Sequence, residues 1–154
     1  MTYRPQFVYP APPAGFEDEQ FHYSFDSTNT PALANSLPAG AYANDIPLLL
    51  QSDAPFIARA IKIQLGAAHS TLWFELKTPH GDYIALPYVP ISRYAGEGDG
   101  AAIAGRLFVP IEEAIYCPSG SSWVLYLYNP TLASVNPPAL TLFGCKRRDC
   151  RRAA

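Results

Sequence analysis

The segment TLWFELKTPHGDYIALPYV, residues 71–89, holds two runs of strand-forming residues on either side of a compact polar break. Aromatic and β-branched residues are enriched in strands, and the ProHisGlyAsp sequence at 79–82 has the composition of a tight turn. The segment therefore predicts a β-hairpin of strands 71–78 and 82–89. We also expect PFIARAIKIQL at 55–65 to pair with the first of these strands and to extend the hairpin into a meander.

Alternation of apolar and polar residues continues on both sides of this hairpin. In FHYSFDS the residues Phe21, Tyr23 and Phe25 fall on one face, and in PFIARAIKIQL the residues Ile57 and Ile61 share a face, as the two-residue period of a strand requires. Eight strands are predicted, within residues 21–27, 46–50, 55–65, 71–78, 82–89, 106–116, 123–129 and 139–145. With no helix predicted, the pattern indicates an all-β fold, a single β-sandwich of jelly-roll type.

The length of 154 residues fits one domain. With 49% hydrophobic and only 16% charged residues, such a chain can bury a core without a metal or a disulfide. Sixteen prolines and ten glycines favour strands joined by loops. We predict an extended arm at 1–20, a β-sandwich at 21–145 and a basic tail at 146–154.

The predicted arm, MTYRPQFVYPAPPAGFEDEQ, combines four prolines with four aromatic residues. Proline favours an extended path and does not fit the middle of a sheet. Disordered linkers are poor in aromatics, so Tyr3, Phe7, Tyr9 and Phe16 are expected to lie on a protein surface. That surface is either the chain's own body or a neighbouring subunit.

The predicted tail, KRRDCRRAA, holds five cations and one anion, a net charge of +4, whereas the other 145 residues hold six cations and twelve anions, a net charge of −6. Such a tail can bind nucleic acid through counterion release, fit an acidic neighbour, or remain solvated. Nucleic acid is disfavoured because the sequence has no other basic patch and no RNA-binding aromatic motif. The predicted partner interface comprises Tyr3, Phe7, Tyr9, Phe16, Arg147, Arg148, Arg151 and Arg152.

Motifs that carry chemistry are missing from the sequence. Its three histidines are far apart, no metal-ligand spacing occurs, and no nucleophile signature is found. We therefore predict no catalytic, metal or cofactor site and no enzymatic activity. An odd number of cysteines without an export signal predicts reduced thiols. No apolar run reaches the length that a membrane span needs, so we expect no membrane partner and synthesis in a cytoplasm.

Aromatic residues are more numerous than one small sandwich can bury. Those expected at the surface are Trp73, Tyr83, Tyr88, Tyr94, Tyr126 and Tyr128. Such residues serve as stacking platforms for sugars or as parts of subunit interfaces, where Tyr and Trp are enriched. Alternatively, about half of them complete the core of the sandwich.

Three short motifs carry a resemblance to a known class of protein. They are AspAlaProPhe at 53–56 with Arg59, the ProSerGlySerSer turn at 118–122 leading into a strand that ends at Asn129, and PheGlyCysLysArg at 143–147. Together they resemble small structural proteins of tailed-phage virions.

That resemblance covers roughly residues 21–148. It implies a β-sandwich or jelly roll that decorates or cements the capsid, or forms part of the head-to-tail collar. The implied partners are the major capsid protein or a portal or neck protein, within a homo-oligomer. The implied location is the virion, after synthesis in the host cytoplasm. The alternative is a carbohydrate-binding or receptor-binding β-sandwich module. A cupin-type enzyme is disfavoured because the required histidine spacing is missing.

Overall fold

A computed structural model gives the conformation of residues 12–64, 72–90 and 108–152. Eight strands run through them in chain order: β1 Phe16–Phe25, β2 Tyr42–Leu49, β3 Phe56–Gln64, β4 Trp73–Lys77, β5 Tyr83–Pro90, β6 Phe108–Cys117, β7 Ser122–Tyr128 and β8 Ala139–Asp149. Helical structure in these three ranges is limited to the 3-10 turns Pro31–Leu33 and Cys150–Arg152. The all-β prediction is confirmed, and all eight predicted strands are present.

The strands form two four-stranded antiparallel sheets, in the orders β1-β8-β3-β6 and β2-β7-β4-β5. One continuous cluster of buried apolar side chains includes Phe56 and Leu142 from the first sheet and Trp123 and Leu127 from the second. The sheets therefore pack against each other around a shared core, in a sandwich-like body.

Alternation along β7 shows how the sequence builds this core. Trp123, Leu125 and Leu127 are buried, whereas Tyr126 and Tyr128 on the other face are half-buried. Because successive side chains of a strand point to opposite faces, one face of β7 packs on the core and the other carries tyrosines.

The β4–β5 hairpin is confirmed, but the meander is wrong. The backbone N–H of Thr78 donates to the carbonyl of Asp82 at 2.7 Å, and Gly81 takes a φ of +89° that favours glycine. β3, in contrast, pairs with β6 and β8 in the other sheet. Both edges of β3 are thus occupied, and β4 pairs with β7 instead.

A β-bulge in β3 corrects the predicted face of Ile57. The register of β3 against β6 and β8 shifts between Ala58 and Ala60, which is the effect of one extra residue in a strand. Phe56 and Ile61 consequently both belong to the core cluster. Ile57 lies on the opposite, outer face of the sheet.

Asn129, at the end of β7, ties two loops together. Its buried side-chain Nδ2 donates to the carbonyl oxygens of Leu37, Pro38 and Ala133 at 2.9, 3.2 and 2.7 Å, and its Oδ1 accepts from Thr131. A fully paired buried amide of this kind fixes loop positions.

The strands extend further toward both termini than the predicted body. β1 begins at Phe16, so residues 16–20 of the predicted arm belong to a sheet, and β8 includes residues 146–149 of the predicted tail. The reason is that the two segments pair with each other, with Asp18 opposite Arg147 in the register. The predicted arm residues Tyr3, Phe7 and Tyr9 lie outside the described residues.

Candidate functional site

A bidentate ion pair joins the start of β1 to the end of β8. Arg147 Nε donates to Asp18 Oδ1 at 2.8 Å, and Arg147 Nη2 donates to Asp18 Oδ2 at 3.0 Å. The hydrogen bonds from Arg147 hold the pKa of the Asp18 carboxyl below its usual value, and Asp18 raises the pKa of Arg147. Such fork-shaped pairing of two largely buried groups is stronger than an ordinary surface ion pair.

A second ion pair, Glu19–Arg148, lies beside the first. We call the two pairs, Asp18–Arg147 and Glu19–Arg148, the charge ladder. Arg148 Nε donates to Glu19 Oε2 at 3.0 Å, and both side chains are exposed. Exposed pairs of this kind add little stability. Arg147 and Arg148 are thus both paired within the chain, and their predicted contact with a partner stays a prediction.

Lys146, a member of the predicted basic tail, is buried. Its side chain is only 3% exposed, and its Nζ lies 2.9 Å from Asp53 Oδ2 and 2.7 Å from Gln51 Oε1. The ammonium also lies 3.9 Å from the centre of the Phe21 ring, a favourable cation–π position. Lys146 therefore acts in the described body as an internal cation, rather than as part of a solvated tail.

Two more of the predicted interface residues contact each other. The guanidinium of Arg151 lies 4.7 Å from the centre of the Phe16 ring and is paired with Asp149 at 3.0 Å. The backbone N–H of Cys150 donates to the carbonyl of Gly15 at 2.9 Å, which closes the same corner. The side chain of Arg152 lies outside the described residues.

The three cysteines are free thiols with different surroundings. Cys117 and Cys145 are buried, and Cys150 is exposed. Burial raises the pKa of the Cys117 thiol to about 11, so Cys117 is protonated at neutral pH and is a poor nucleophile.

Three aromatic side chains lie side by side on the outer face of the β2-β7-β4-β5 sheet, and we call them the aromatic row. Tyr42, Tyr128 and Trp73 are direct partners across β2, β7 and β4. The Tyr42 and Tyr128 rings stack at 4.4 Å, and the Trp73 ring meets Tyr128 edge-on at 6.3 Å. Tyr42 is 56% and Trp73 is 39% exposed.

Polar groups lie next to the aromatic row on the same face. Glu75 is opposite Tyr126 in the register, and the Tyr126 hydroxyl donates to the carboxylate of Asp45, which raises the pKa of Tyr126. The aromatic row therefore has carboxylates beside it. Trp73 and Tyr128 were expected at the surface from the sequence, whereas Tyr42 was missed because TyrAlaAsnAsp at 42–45 has the composition of a loop.

A groove of about 570 Å³ lies between β1 and β2, and we call it the edge groove. Each of these strands is at the edge of its sheet. The apolar lining includes Phe21, Phe25, Pro47 and Leu49, and Leu49 is 65% exposed. The only sequence signal for this groove was the apolar run at 46–50, which looks the same whether a leucine faces the core or solvent.

Some kinds of site are not found in the described ranges. Residues 12–64, 72–90 and 108–152 contain no group of three or more His, Cys, Asp or Glu side chains that could hold a metal ion. The same residues include no helix that is long and apolar enough to span a membrane. No protein-family model matches the chain, and no curated protein matches it either.

Proposed function

We propose that the two sheets form a jelly roll and that the protein is a non-enzymatic structural component of a tailed-phage virion. In this role it decorates or cements the capsid, or forms part of the collar between head and tail. Its partners are then the major capsid protein or a portal or neck protein, and further copies of itself.

The observation that carries this proposal is the nesting of the strand pairs. β1 pairs with β8, β2 with β7, β3 with β6, and β4 with β5. This is the pairing of one long hairpin rolled into two sheets, and double-sheet jelly rolls of eight strands include viral capsid domains. Because one fold serves many functions, the surface features must supply the rest of the argument.

The surface of the described body favours assembly. The charge ladder joins the acidic start of β1 to the basic end of β8, so the first sheet stays paired up to Asp149. The prolines that precede β1 restrict the arm before it docks, which lowers the ordering entropy lost on binding. A sheet that is paired to its end, preceded by an arm restricted by prolines, suits a protein that acts by burying surface between subunits.

The test is co-sedimentation of the purified chain with phage particles from its source, together with mass spectrometry of those particles. A variant lacking residues 1–11 is expected to keep its far-UV circular dichroism and lose co-sedimentation. The deletion stops before Pro12 because β1 begins at Phe16 and Asp18 is paired. Leu132→Ala, at a fully exposed loop position, is the matched control and is expected to bind normally.

The proposal is overturned if the chain is missing from the particles and does not sediment with them. Normal binding by the variant lacking residues 1–11 would show that the arm is not the attachment element.

The aromatic row favours a second candidate function, recognition of a glycan. A sugar ring can lay its C–H face on Tyr42 or Trp73, while nearby carboxylates such as Glu75 accept hydrogen bonds from its hydroxyls. Jelly rolls also include lectin domains. Binding on a glycan array that is lost with Trp73→Ala, and kept both with Leu132→Ala and after removal of residues 1–11, would favour this candidate over the first.

A further inference from the structure

β1 is an edge strand among the described strands, and its two halves differ in charge. Among the described strands, β1 pairs with β8 alone. The first half of β1 carries Glu17, Asp18 and Glu19, but residues 21–25 hold no Asp, Glu, Lys or Arg. Charged residues protect an edge strand against pairing with another chain. The second half of the β1 edge lacks that protection.

The edge groove lies beside this uncharged half. Its lining consists of residues 21–25, the loop residues 29–32, and Pro47, Leu49 and Gln51. The side chain of Asn29 donates to the Ser24 carbonyl at 2.6 Å, so an added strand would pair with the part of β1 that precedes this carbonyl. Its volume of about 570 Å³ is within the range of pockets that hold a ligand. A free strand edge next to an apolar groove is the arrangement to which an extended peptide adds as a further strand, with alternate side chains in the groove.

The chain itself contains a segment with the matching chemistry. Residues 6–9, GlnPheValTyr, form a run free of proline between Pro5 and Pro10. In an extended conformation Phe7 and Tyr9 point to the same side, and the flanking prolines limit pairing to this short run. No residue from 5 to 15 is charged, so the segment can enter an apolar groove without burying a charge.

The turn before β1 disfavours docking of this segment in its own groove. The backbone N–H of Phe16 donates to the carbonyl of Pro13 at 3.0 Å, and Gly15 has a φ of +85°, which is the pattern of a type II turn. Such turns splay the strands that they connect. In addition, Pro10, Pro12 and Pro13 would lie along the β1 edge without N–H groups to donate.

The length of the arm allows docking on another copy. Residues 10–12 lie between the run at 6–9 and the turn at 13–16, and three extended residues span at most about 10 to 11 Å. The run at 6–9 can therefore reach a second copy whose β1 edge lies close to the start of the first copy's β1.

We propose that residues 6–9 of one copy add as a strand to the free edge of β1 in a second copy, with Phe7 and Tyr9 in the edge groove. This inference deepens the arm-mediated subunit contact of the proposed function and rests on it. It names the second copy as the occupant of the groove and gives a direct route to a homo-oligomer.

The test is a thiol cross-link between two different chains. Cys150→Ser is the background, because Cys150 is the exposed native cysteine. One chain carries Phe7→Cys and the other carries Leu49→Cys, and the mixture is oxidised under conditions that leave buried thiols unmodified. We expect the peptide linking positions 7 and 49 to form at least fivefold more than a link from position 7 to Leu132→Cys, the exposed control. Equal yields at the two positions would overturn the proposal.

A chain that carries both Phe7→Cys and Leu49→Cys tests occupation of a chain's own groove. If it forms an internal link at high dilution while the two-chain mixture forms none, the occupant is the same copy and the proposal is wrong. Light scattering gives an independent readout. Leu49→Arg is expected to shift the oligomer to monomer, and Leu132→Arg is expected to leave it unchanged. If light scattering shows that Leu49→Arg leaves the oligomer intact, the proposal is also wrong.

The two proposals fail in different ways. If the cross-link does not form but sedimentation with particles still needs residues 1–11, the groove is not the docking site and the virion role stands. If the cross-link forms but particles are not bound, the chain self-associates through the groove and the virion role is wrong.

Discussion

Replacing Asp53 by alanine would leave a buried ammonium group without its counter-ion. The Nζ of Lys146 lies 2.9 and 3.1 Å from the two carboxylate oxygens of Asp53. Its other close partners are Gln51 Oε1 at 2.7 Å and the Phe21 ring. Lys146 is 3% exposed, whereas the Asp53 side chain is 41% exposed. The substitution therefore affects the buried partner more than the exposed one.

The expected loss follows from this asymmetry. Removing one partner of a fully buried ion pair costs about 3 to 5 kcal/mol. Solvent screens Asp53, and Gln51 and Phe21 still contact the ammonium, so we expect Asp53→Ala to lower the free energy of unfolding by about 2 kcal/mol. Lys146→Met removes the charge and keeps a long apolar side chain, and Asp53 can turn to solvent. Its expected cost is about 1 kcal/mol or less.

The double variant separates the ion pair from packing. Once Lys146 is methionine, loss of Asp53 should cost only its exposed contact with Arg148 at 3.3 Å, which is worth ~0.2 to 1 kcal/mol. The coupling energy between Asp53 and Lys146 is then about 1 to 2 kcal/mol. The assay is urea unfolding at pH 7, followed by circular dichroism. A change of 2 kcal/mol moves the midpoint by about 1 M at an ordinary m-value. A midpoint for Asp53→Ala within about 0.2 M of wild type, or additive effects in the double variant, would refute this reasoning.

Three further predictions concern stability. Gly144→Ala is expected to cost more than about 3 kcal/mol by urea unfolding, because the added Cβ would overlap the backbone carbonyl of Ile57 and force β8 and β3 apart. Asn129→Asp replaces an amide that donates to three carbonyls, so the melting temperature should fall by several degrees, whereas Asn136→Asp on the surface should change it little. Burial raises the pKa of the Cys117 thiol from 9.0 in the unfolded chain to about 11 in the folded chain. Below about pH 9 the thiol is protonated in both states, and its full contribution to stability is present. Between about pH 9 and 11 the unfolded chain gives up a proton that the folded chain keeps, so the free energy of unfolding falls by about 3 kcal/mol. Cys117→Ala should reduce the decline of stability over that range, and an unchanged decline would contradict the assignment.

Local signals in the sequence predicted where the strands lie but not how all of them pair. The turn around Gly81 fixes the β4–β5 hairpin because its residues are adjacent in the chain. The bulge beside Ala58 leaves no local signal, since its effect depends on which strands lie on either side. The predicted meander failed for the same reason.

The charged segments show why the composition of a single segment does not predict its structure. The acidic residues 17–19 and the basic residues 146–148 both have the composition of solvated ends, and only their pairing makes a strand of each. The burial of Lys146 depends further on Asp53, which lies in a third segment. For the candidate surfaces, Trp73 could be expected from its strand period, but the exposure of Leu49 depends on the separation of two sheet edges.

Pairing of β1 with β8 sets the order in which the protein can be completed on the ribosome. Asp18 and Arg147 are separated by 129 residues, a stretch that takes roughly 6 to 26 s to translate at about 5–20 residues per second. Throughout that time β1 is synthesised but has no partner. Its acidic residues at 17–19 then keep the first half of the strand from pairing with other nascent chains. The carboxylates that pair with the arginines of β8 in the folded sheet thus also oppose aggregation of the chain before β8 is synthesised.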